Sequence, residues 1–478
     1  MLWLKKNMPE EFDDSVMNQA ILSAGNDVGD LAMGLFGDYT EVPYSESISE
    51  MIPATQKLID DGVVNICEAS FSYDGCFCSV DILRNLGGNK VELYEVKSST
   101  EVKDIYKEDV SYQNWVLTKL GFDVQKVCLV HINNQYVRHG ELELDKLFTI
   151  VDLTDVAKSK LSEVEDNIAK FREYLEQETE PECKVGSQCS SPYDCGYWSH
   201  CAVDMPEDGE PTVWSISRLR DKQWYYDNGY ITFQQLYDAG VLKGNYLQQV
   251  EVELKNLPPQ IKPKEVSKFL ETLSYPLYFL DFETFNPAIP LYDESSPYQQ
   301  IVFQYSLHYI EKEGGELKHK ECLAYPGTDP RRQIAEQLCK DIPLDVCTTA
   351  YNMGFEKGKI RDLAVLYPDL HDHLMNIHDN IKDIMIPFQK RWYYTKEMQG
   401  SYSIKYVLPA LFPDDPSLNY HNLEGVHNGG EASNTFLAMQ KMDKEELEKW
   451  REHLLRYCEL DTFAMVKVLE KLREVGKC

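Results

Sequence analysis

The spacing of apolar and polar positions divides the chain into strand-like and helix-like stretches. Val63-Val-Asn-Ile-Cys-Glu68-Ala-Ser-Phe71 and Cys76-Phe-Cys78-Ser-Val-Asp81-Ile-Leu83 read as strands, and Tyr73-Asp-Gly75 between them is a turn. A Gly87-Gly-Asn89 turn leads to Val91-Glu-Leu-Tyr-Glu95-Val-Lys97-Ser-Ser99, which completes a predicted meander of three strands. Residues 13–36 and about 107–120 read as helices, the second carrying Gln113. Residues 127–132 form a strand, with His131 expected at its core or edge, and an amphipathic segment spans about 155–178. Residues 205–212 carry loop breakers. Helical pieces follow at 216–226, 233–239 and 245–254, then a Pro-rich spacer at 257–263 and a helix over about 264–273. Tyr278-Phe-Leu-Asp281-Phe-Glu283-Thr-Phe285 is an apolar run carrying two acids, and 299–309 alternates as a second strand. Residues 330–340 read as a helix, Ala350–Ala364 as a strand end entering a helix, and Leu454–Met465 as a helix. The predicted class is α/β, with domains at 1–203 and 269–478 joined by a small helical connector at 204–268.

Length and charge narrow this picture. A chain of 478 residues suggests two to four domains with ample core. A net charge of −31 and a pI near 4.7 argue against a generally basic nucleic-acid coat. They leave room for an enzyme whose substrate path is local and whose acids hold metals. No apolar run reaches membrane-spanning length, so no membrane partner is expected, and the start lacks the apolar region of a signal peptide. The expected location is the cytoplasm.

In a strand, residues i and i+2 share a face, so Asp281 and Glu283 point the same way. Like charges held that close call for a cation, and Mg²⁺ or Mn²⁺ prefers such oxygen ligands. Alone, the pair is equally a solvated strand end. Two later stretches supply context: Tyr351-Asn352-Met-Gly-Phe-Glu356 and Tyr457-Cys-Glu-Leu-Asp461, the latter pair four apart on one helical face. Together these resemble the DEDD family of 3′→5′ exonucleases on an RNase H-like fold, in its tyrosine version. The resemblance implies that Asp281, Glu283, Glu356 and Asp461 hold metal and that Tyr457 orients or helps deprotonate the attacking water. Glu356 stands where the family usually has Asp. The stretch Phe388–Pro409 brings Lys390, Arg391, Lys396 and Lys405 among aromatics such as Tyr402. It reads either as a path for single-stranded DNA or RNA or as a tyrosine-rich core edge. Asn352, Lys390, Arg391, Tyr402 and Lys405 are therefore candidate substrate contacts, and Asp383 a supporting polar group.

In the first domain Asp81, Glu95 and Lys97 follow the pattern Asp–x13–Glu–x–Lys. Two acids suit a divalent metal and the lysine suits developing phosphate charge. This resembles the PD-(D/E)xK nuclease superfamily, in particular its RecB/Cas4-like branch, with Glu68 and Gln113 at further matching positions. That branch usually carries a helical histidine where this chain reads Gly25-Asn-Asp-Val-Gly29. Cys183, Cys189, Cys195 and Cys201 are each separated by five residues, a spacing for a soft metal or cluster. The resemblance implies a [4Fe–4S] cluster, with Zn²⁺ as the alternative. It also implies that a cysteine upstream of Leu2-Trp-Leu4 or Cys183 takes the remaining ligand position beside Cys189, Cys195 and Cys201.

The whole chain resembles a bacterial family known as DUF2779-containing proteins, carried most specifically by Phe279–Phe285 and Gly400–Pro409. The implied architecture is a restriction-endonuclease-like domain with a cysteine cluster, followed by an RNase H-like domain. The implied function is a metal-dependent nuclease. The alternative is a catalytically decayed iron–sulfur module that binds nucleic acid or assembles with other components.

Overall fold

The computed structural model describes residues 1–16, 19–202 and 210–477. Residues 17–18 of the expected first helix, the expected domain boundary at 203, and residues 205–209 of the expected loop lie outside the described residues. The chain is mixed α/β and divides into two compact units, Met1–Val203 with Pro287–Gln299, and Asp204–Asn286 with Gln300–Cys478.

The first unit is built on a six-stranded sheet whose spatial order equals its chain order: β1 (Thr40–Glu41), β2 (Asn65–Tyr73), β3 (Cys76–Gly87), β4 (Lys90–Lys97), β5 (Asp123–Ile132) and β6 (Phe148–Asp152). The β1–β2 and β4–β5 pairs are parallel and the other neighbours antiparallel. Alternating side chains feed two cores. Ile66, Leu83, Leu93 and Leu129 pack on one face with Val110 and Val116 of a helix at Asp104–Lys119. Cys67, Ile82, Tyr94 and Cys128 pack on the other with Val28 and Ala32 of a helix at Gln19–Ala32. We label these helices α1 (Gln19–Ala32) and α2 (Asp104–Lys119). Both faces are covered, which is why the strands read as nearly continuous apolar runs. His131 is buried in β5, and its Nδ1 lies 3.0 Å from the Ile132 carbonyl. The returning segment 287–299 joins the second core through Ala288, Ile289 and Tyr298, and Arg138 donates to the Pro290 and Leu291 carbonyls.

The second unit centres on a five-stranded sheet. Its strands are β8 (Leu277–Phe285), β9 (Ile301–Ile310), β10 (Leu317–Leu323), β11 (Cys347–Ala350) and β12 (Ile381–Asp383), and they lie in the order β10-β9-β8-β11-β12. β9 is antiparallel to both β8 and β10, while β11 and β12 run parallel to β8. A small ribbon pairs β7 (Gln260–Ile261) with β13 (Tyr393–Tyr394), so the expected spacer is partly strand. Helices α3 (Arg331–Asp341), α4 (Gly354–Leu366) and α5 (His371–Asp379) cover one face of the sheet. The other face meets α6 (Gly429–Ala438) and α7 (Lys444–Gly476), the latter 33 residues long. The connector has its own small core of Val213, Ile216, Leu219, Phe233, Leu236, Leu242 and Val250. There the expected helix at 216–226 starts only at Lys222, because Arg218 and Asp221 adopt left-handed backbone angles of φ 58° and 53°.

Phe436 of α6 is fully buried and stacks 4.1 Å from Phe303 and 5.4 Å from Phe285, fastening α6 to the sheet. Phe436→Ala is expected to cost the second unit about 3–5 kcal/mol. That would appear as a lowered urea midpoint of its unfolding transition; a loss below about 1 kcal/mol would mean that this stack does not anchor α6.

Candidate active site

Three distant stretches of the second unit converge on one buried cluster of acids. β8 is the central strand, and its period puts Asp281 and Glu283 on the face covered by α7. Asp461 and Tyr457 come from α7, one turn apart. Glu356 lies in the first turn of α4 and is only 2% exposed. That helix starts from a specific turn. Asn352 has a left-handed φ of 74°, and the Asp383 carboxylate accepts from the amides of Asn352 (3.0 Å), Met353 (3.3 Å) and Met385 (2.9 Å). An anionic cap at a helix start is favoured by the exposed amides and the helix dipole. Asp383 thus fixes the turn that aims Glu356.

The electrostatics follow from this crowding. Burial raises the carboxyls of Asp281 and Glu283 well above their ordinary range, and Asp461 raises both further. Glu356 is pushed up to about 8 by burial, with Asp383 and Asp461 adding to it. Asp461 rises to about 6 through burial, opposed by a 2.7 Å hydrogen bond from Tyr420 and by the charge of Lys405. Ligand atoms of Asp281, Glu283 and Cys458 lie within 4.8 Å of one another, and Glu356 Oε2 is buried with no hydrogen-bond partner. Asp281 and Glu283 are oxygen donors that suit a hard divalent ion such as Mg²⁺ or Mn²⁺; Asp461 and Glu356 lie within electrostatic range of them, but their oxygens are not in that 4.8 Å set. Tyr457 is buried, and burial with the charges of Asp461, Glu283 and Asp281 holds its phenol protonated. It can therefore donate a hydrogen bond but is not a base in this state. Lys405 Nζ lies 3.5 Å from the Tyr457 hydroxyl.

A cavity of about 420 Å³ opens beside these acids, lined by Asp281, Asp461, Asn352, Tyr402 and Arg218, among others. Asn352, Tyr402 and Lys405 are thus gathered at the acid cluster, while Lys390 is exposed. Arg391 is a correction to the expected substrate contacts. It is 7% exposed, donates 2.7 Å to the Gly400 carbonyl and lies over the Tyr394 ring, so it pins the loop. Phe388, Tyr393 and Tyr394 are buried as well, while Trp392 is half-buried, so 388–394 is largely a core edge. Sequence reasoning missed Arg218, whose guanidinium lies 4.0 Å from the Tyr402 ring centroid, and Tyr420. No spacing rule ties either to the motifs.

In the first unit the register that pairs Cys67 with Ile82 and Ile82 with Tyr94 sets Glu68, Asp81 and Glu95 on adjacent strands. Glu68 has a left-handed φ of 56° and falls between two regular pairs, with no shift in register. The Val96 amide donates 2.6 Å to Asp81. Lys97 Nζ contacts both Glu95 (2.6 Å) and Asp109 (2.7 Å), and Gln113 donates 2.7 Å to Glu95. Burial pushes Asp81 up to about 7 and raises Glu95 and Glu68. Burial works against the charge on Lys97, but Glu95 and Asp109 more than offset it. Gln113 Oε1 is buried without a partner. Among the described residues, these acids are not among the sets of three ligand atoms lying within 4.8 Å of one another. Asp109 was missed, although it sits one turn before Gln113 on α2, a spacing that could have found it.

The four cysteines of the 183–201 stretch are free thiols, Cys183 exposed and the others half-buried. The Cys195 amide donates 2.9 Å to the Cys189 carbonyl. Burial, then the neighbouring Cys183, Cys195 and Cys189, raises the Cys201 thiol. Four thiols in mutual electrostatic range fit a soft metal or cluster by donor chemistry. Among the described residues, their sulfurs are not among the sets of three ligand atoms lying within 4.8 Å of one another.

Residues 278–403 match a family described as a domain of unknown function, DUF2779, so this domain is present over that stretch. The chain is 28% identical over 247 residues to Uncharacterized protein UU173 of Ureaplasma parvum serovar 3, covering 47% of this chain and 35% of that protein. It is 24% identical over 215 residues to Uncharacterized protein MG366 of Mycoplasma genitalium, covering 42% of this chain and 32% of that protein. The chain thus spans about a third of the length of the curated relatives it matches. No solved structure matches it. Among the described residues, no helix is long and apolar enough to cross a membrane.

The raised carboxyls set a pH dependence. Glu356 ordinarily titrates near 4.5 but is pushed up to about 8 here, so between these values the folded chain holds a proton that the unfolded chain has lost. Stability must then fall as pH rises through that window. In chelator, the melting temperature of Glu356→Gln is expected to match that of the unaltered chain near pH 4.5 and exceed it by several degrees at pH 8. A pH-independent difference by calorimetry would contradict the burial of this charge.

Proposed function

We propose that this chain is a metal-dependent nuclease that removes 3′-terminal nucleotides from single-stranded DNA or RNA in its second unit, with a second nuclease site in its first. The observation that carries the reading is the meeting of Asp281, Glu283, Glu356 and Asp461, from three distant stretches, beside a cavity lined by Asn352 and Tyr402. Under this reading the second unit is an RNase H-like exonuclease domain and the first a PD-(D/E)xK domain with a [4Fe–4S] cluster on Cys183, Cys189, Cys195 and Cys201, or Zn²⁺ as the lesser alternative. The divalent ions supply charge neutralisation at the phosphate and an activated water. Tyr457, as a neutral phenol, orients that water. Lys405 brings positive charge to the rim where the scissile phosphate lies, and Tyr402, braced by Arg218, offers a face for a terminal base.

A second reading concerns the first unit alone. Lys97 is already held by Glu95 and Asp109, and α1 has no histidine in Gly25–Gly29. Both features favour a unit that binds nucleic acid without cutting it.

The test is digestion of 5′-labelled single-stranded DNA and RNA in Mn²⁺ by the intact chain, Asp281→Ala and Asp81→Ala. A 3′→5′ ladder from the intact chain that falls by at least about 10³-fold in Asp281→Ala is expected. If Asp81→Ala leaves the ladder intact, the first unit is a binding module. Cutting that is lost only in Asp81→Ala would move the chemistry to the first unit. No cutting by the metal-loaded intact chain would overturn the enzyme reading.

A further inference from the structure

A second polar set lies beneath α7, on the same sheet face as the acids but made of different donors. His308 on β9 and His319 on β10 are register partners, with ring centroids 4.4 Å apart and a 30° tilt. Ser306 stands two residues before His308 on the same face, and Thr462 and Glu459 come down from α7.

One arrangement of protons satisfies every hydrogen bond in this set. Thr462 Oγ1 donates to the Glu459 carbonyl at 3.1 Å. With its one proton committed, it must accept from Ser306 Oγ at 2.7 Å and from His308 Nδ1 at 2.8 Å. Ser306, having donated there, must accept from His319 Nε2 at 2.9 Å. His308 therefore carries its proton on Nδ1 and His319 on Nε2. The lone pairs left over are on His308 Nε2 and His319 Nδ1. Burial and the facing His319 ring push His308 down to about 4, which keeps it neutral.

His319 Nδ1 faces Glu459 Oε1 at 3.9 Å, a pair drawn together by a shared cation, whether a proton on the imidazole or a metal ion. One ligand atom from each of His308, His319 and Glu459 lies within 4.8 Å of the others. In a tetrahedral site with bonds of about 2.0 Å, ligand atoms stand about 3.3 Å apart. His319 and Glu459 are partly exposed and can close that difference by small side-chain movements. Ser306 and Thr462 orient the two rings from behind, as the outer partners of ligating histidines do.

We propose that His308, His319 and Glu459 form a transition-metal site, distinct in donor chemistry from the acid cluster, that pins α7 to β9 and β10. Two imidazoles and one carboxylate select a borderline ion such as Zn²⁺ over Mg²⁺. Glu321 stands two residues along β10 from His319, on the same face and within electrostatic reach of His319 and Glu459. The ion fastens the helix that carries Tyr457 and Asp461 without taking part in the proposed hydrolysis.

The test is titration of the full chain, saturated with Mg²⁺ and kept anaerobic, with Co²⁺ read by absorption and Zn²⁺ read by calorimetry. The variants are His319→Gln and Glu459→Gln. Co²⁺ at this site gives visible bands of nitrogen and oxygen coordination without the near-ultraviolet thiolate band that binding at the cysteines gives. The expected result is one such equivalent in the unaltered chain, weakened at least about tenfold in either variant while the thiolate-bound fraction is unchanged. Glu459→Gln, on the partly exposed side of α7, keeps the test readable if His319→Gln misfolds. Absence of the equivalent in the unaltered chain, or unchanged affinity and spectra in both variants, overturns the proposal. None of these readouts depends on nuclease activity, so a failed digestion and a failed metal site remain distinguishable.

Discussion

Carboxylates repel one another, and the repulsion grows as water is excluded. Two unit charges 4 Å apart interact by about 1 kcal/mol in water and about 4 kcal/mol at the effective dielectric of a protein surface. The second unit gathers Asp281, Glu283, Glu356 and Asp461 out of water; burial raises the proton affinity of all four, and neighbouring carboxylates raise those of Asp281, Glu283 and Glu356 further. The charge of Lys405 offsets part of this repulsion. Lys405 approaches, but it contacts Tyr457 through its ammonium and is itself exposed. The rest of the unit is arranged to hold this unfavourable cluster in place.

Each part of the scaffold has an identifiable share in that. β8 is buried between β9 and β11, so its two acids cannot retreat from each other. Asp383 fixes the turn from which α4 presents Glu356. The helix α7 is tied to the sheet by Gln304, which donates 2.9 Å to the Leu454 carbonyl, and by the Ser306–Thr462–His308 network. The Phe303–Phe436–Phe285 stack closes the same face beside it. In the first unit the same logic appears on a smaller scale, but there Lys97 sits among the acids and offsets part of the repulsion.

The strands around the acids were legible because their chemistry is local. Period-two alternation placed Asp281 with Glu283 and Glu95 with Lys97, and helical spacing placed Tyr457 with Asp461. What sequence could not supply is contact between segments far apart in the chain. Tyr420 reaches Asp461 across 41 residues, and Arg218 meets Tyr402 across a still longer gap. The basic and aromatic run at 388–409 left two readings open for a physical reason. Charge and rings look alike in sequence whether they face solvent or the core, and Arg391 is buried against a backbone carbonyl. The His308–His319 pair was invisible because its residues become neighbours only through strand register.

The central claim is that the buried acids of the second unit are held together to receive a divalent cation. Mn²⁺ binding counted by electron paramagnetic resonance at pH 8, on the intact chain and on Asp281→Asn, tests this most directly. The account predicts that Asp281→Asn loses bound Mn²⁺ relative to the intact chain while remaining folded. Equal Mn²⁺ binding by the two proteins would contradict it.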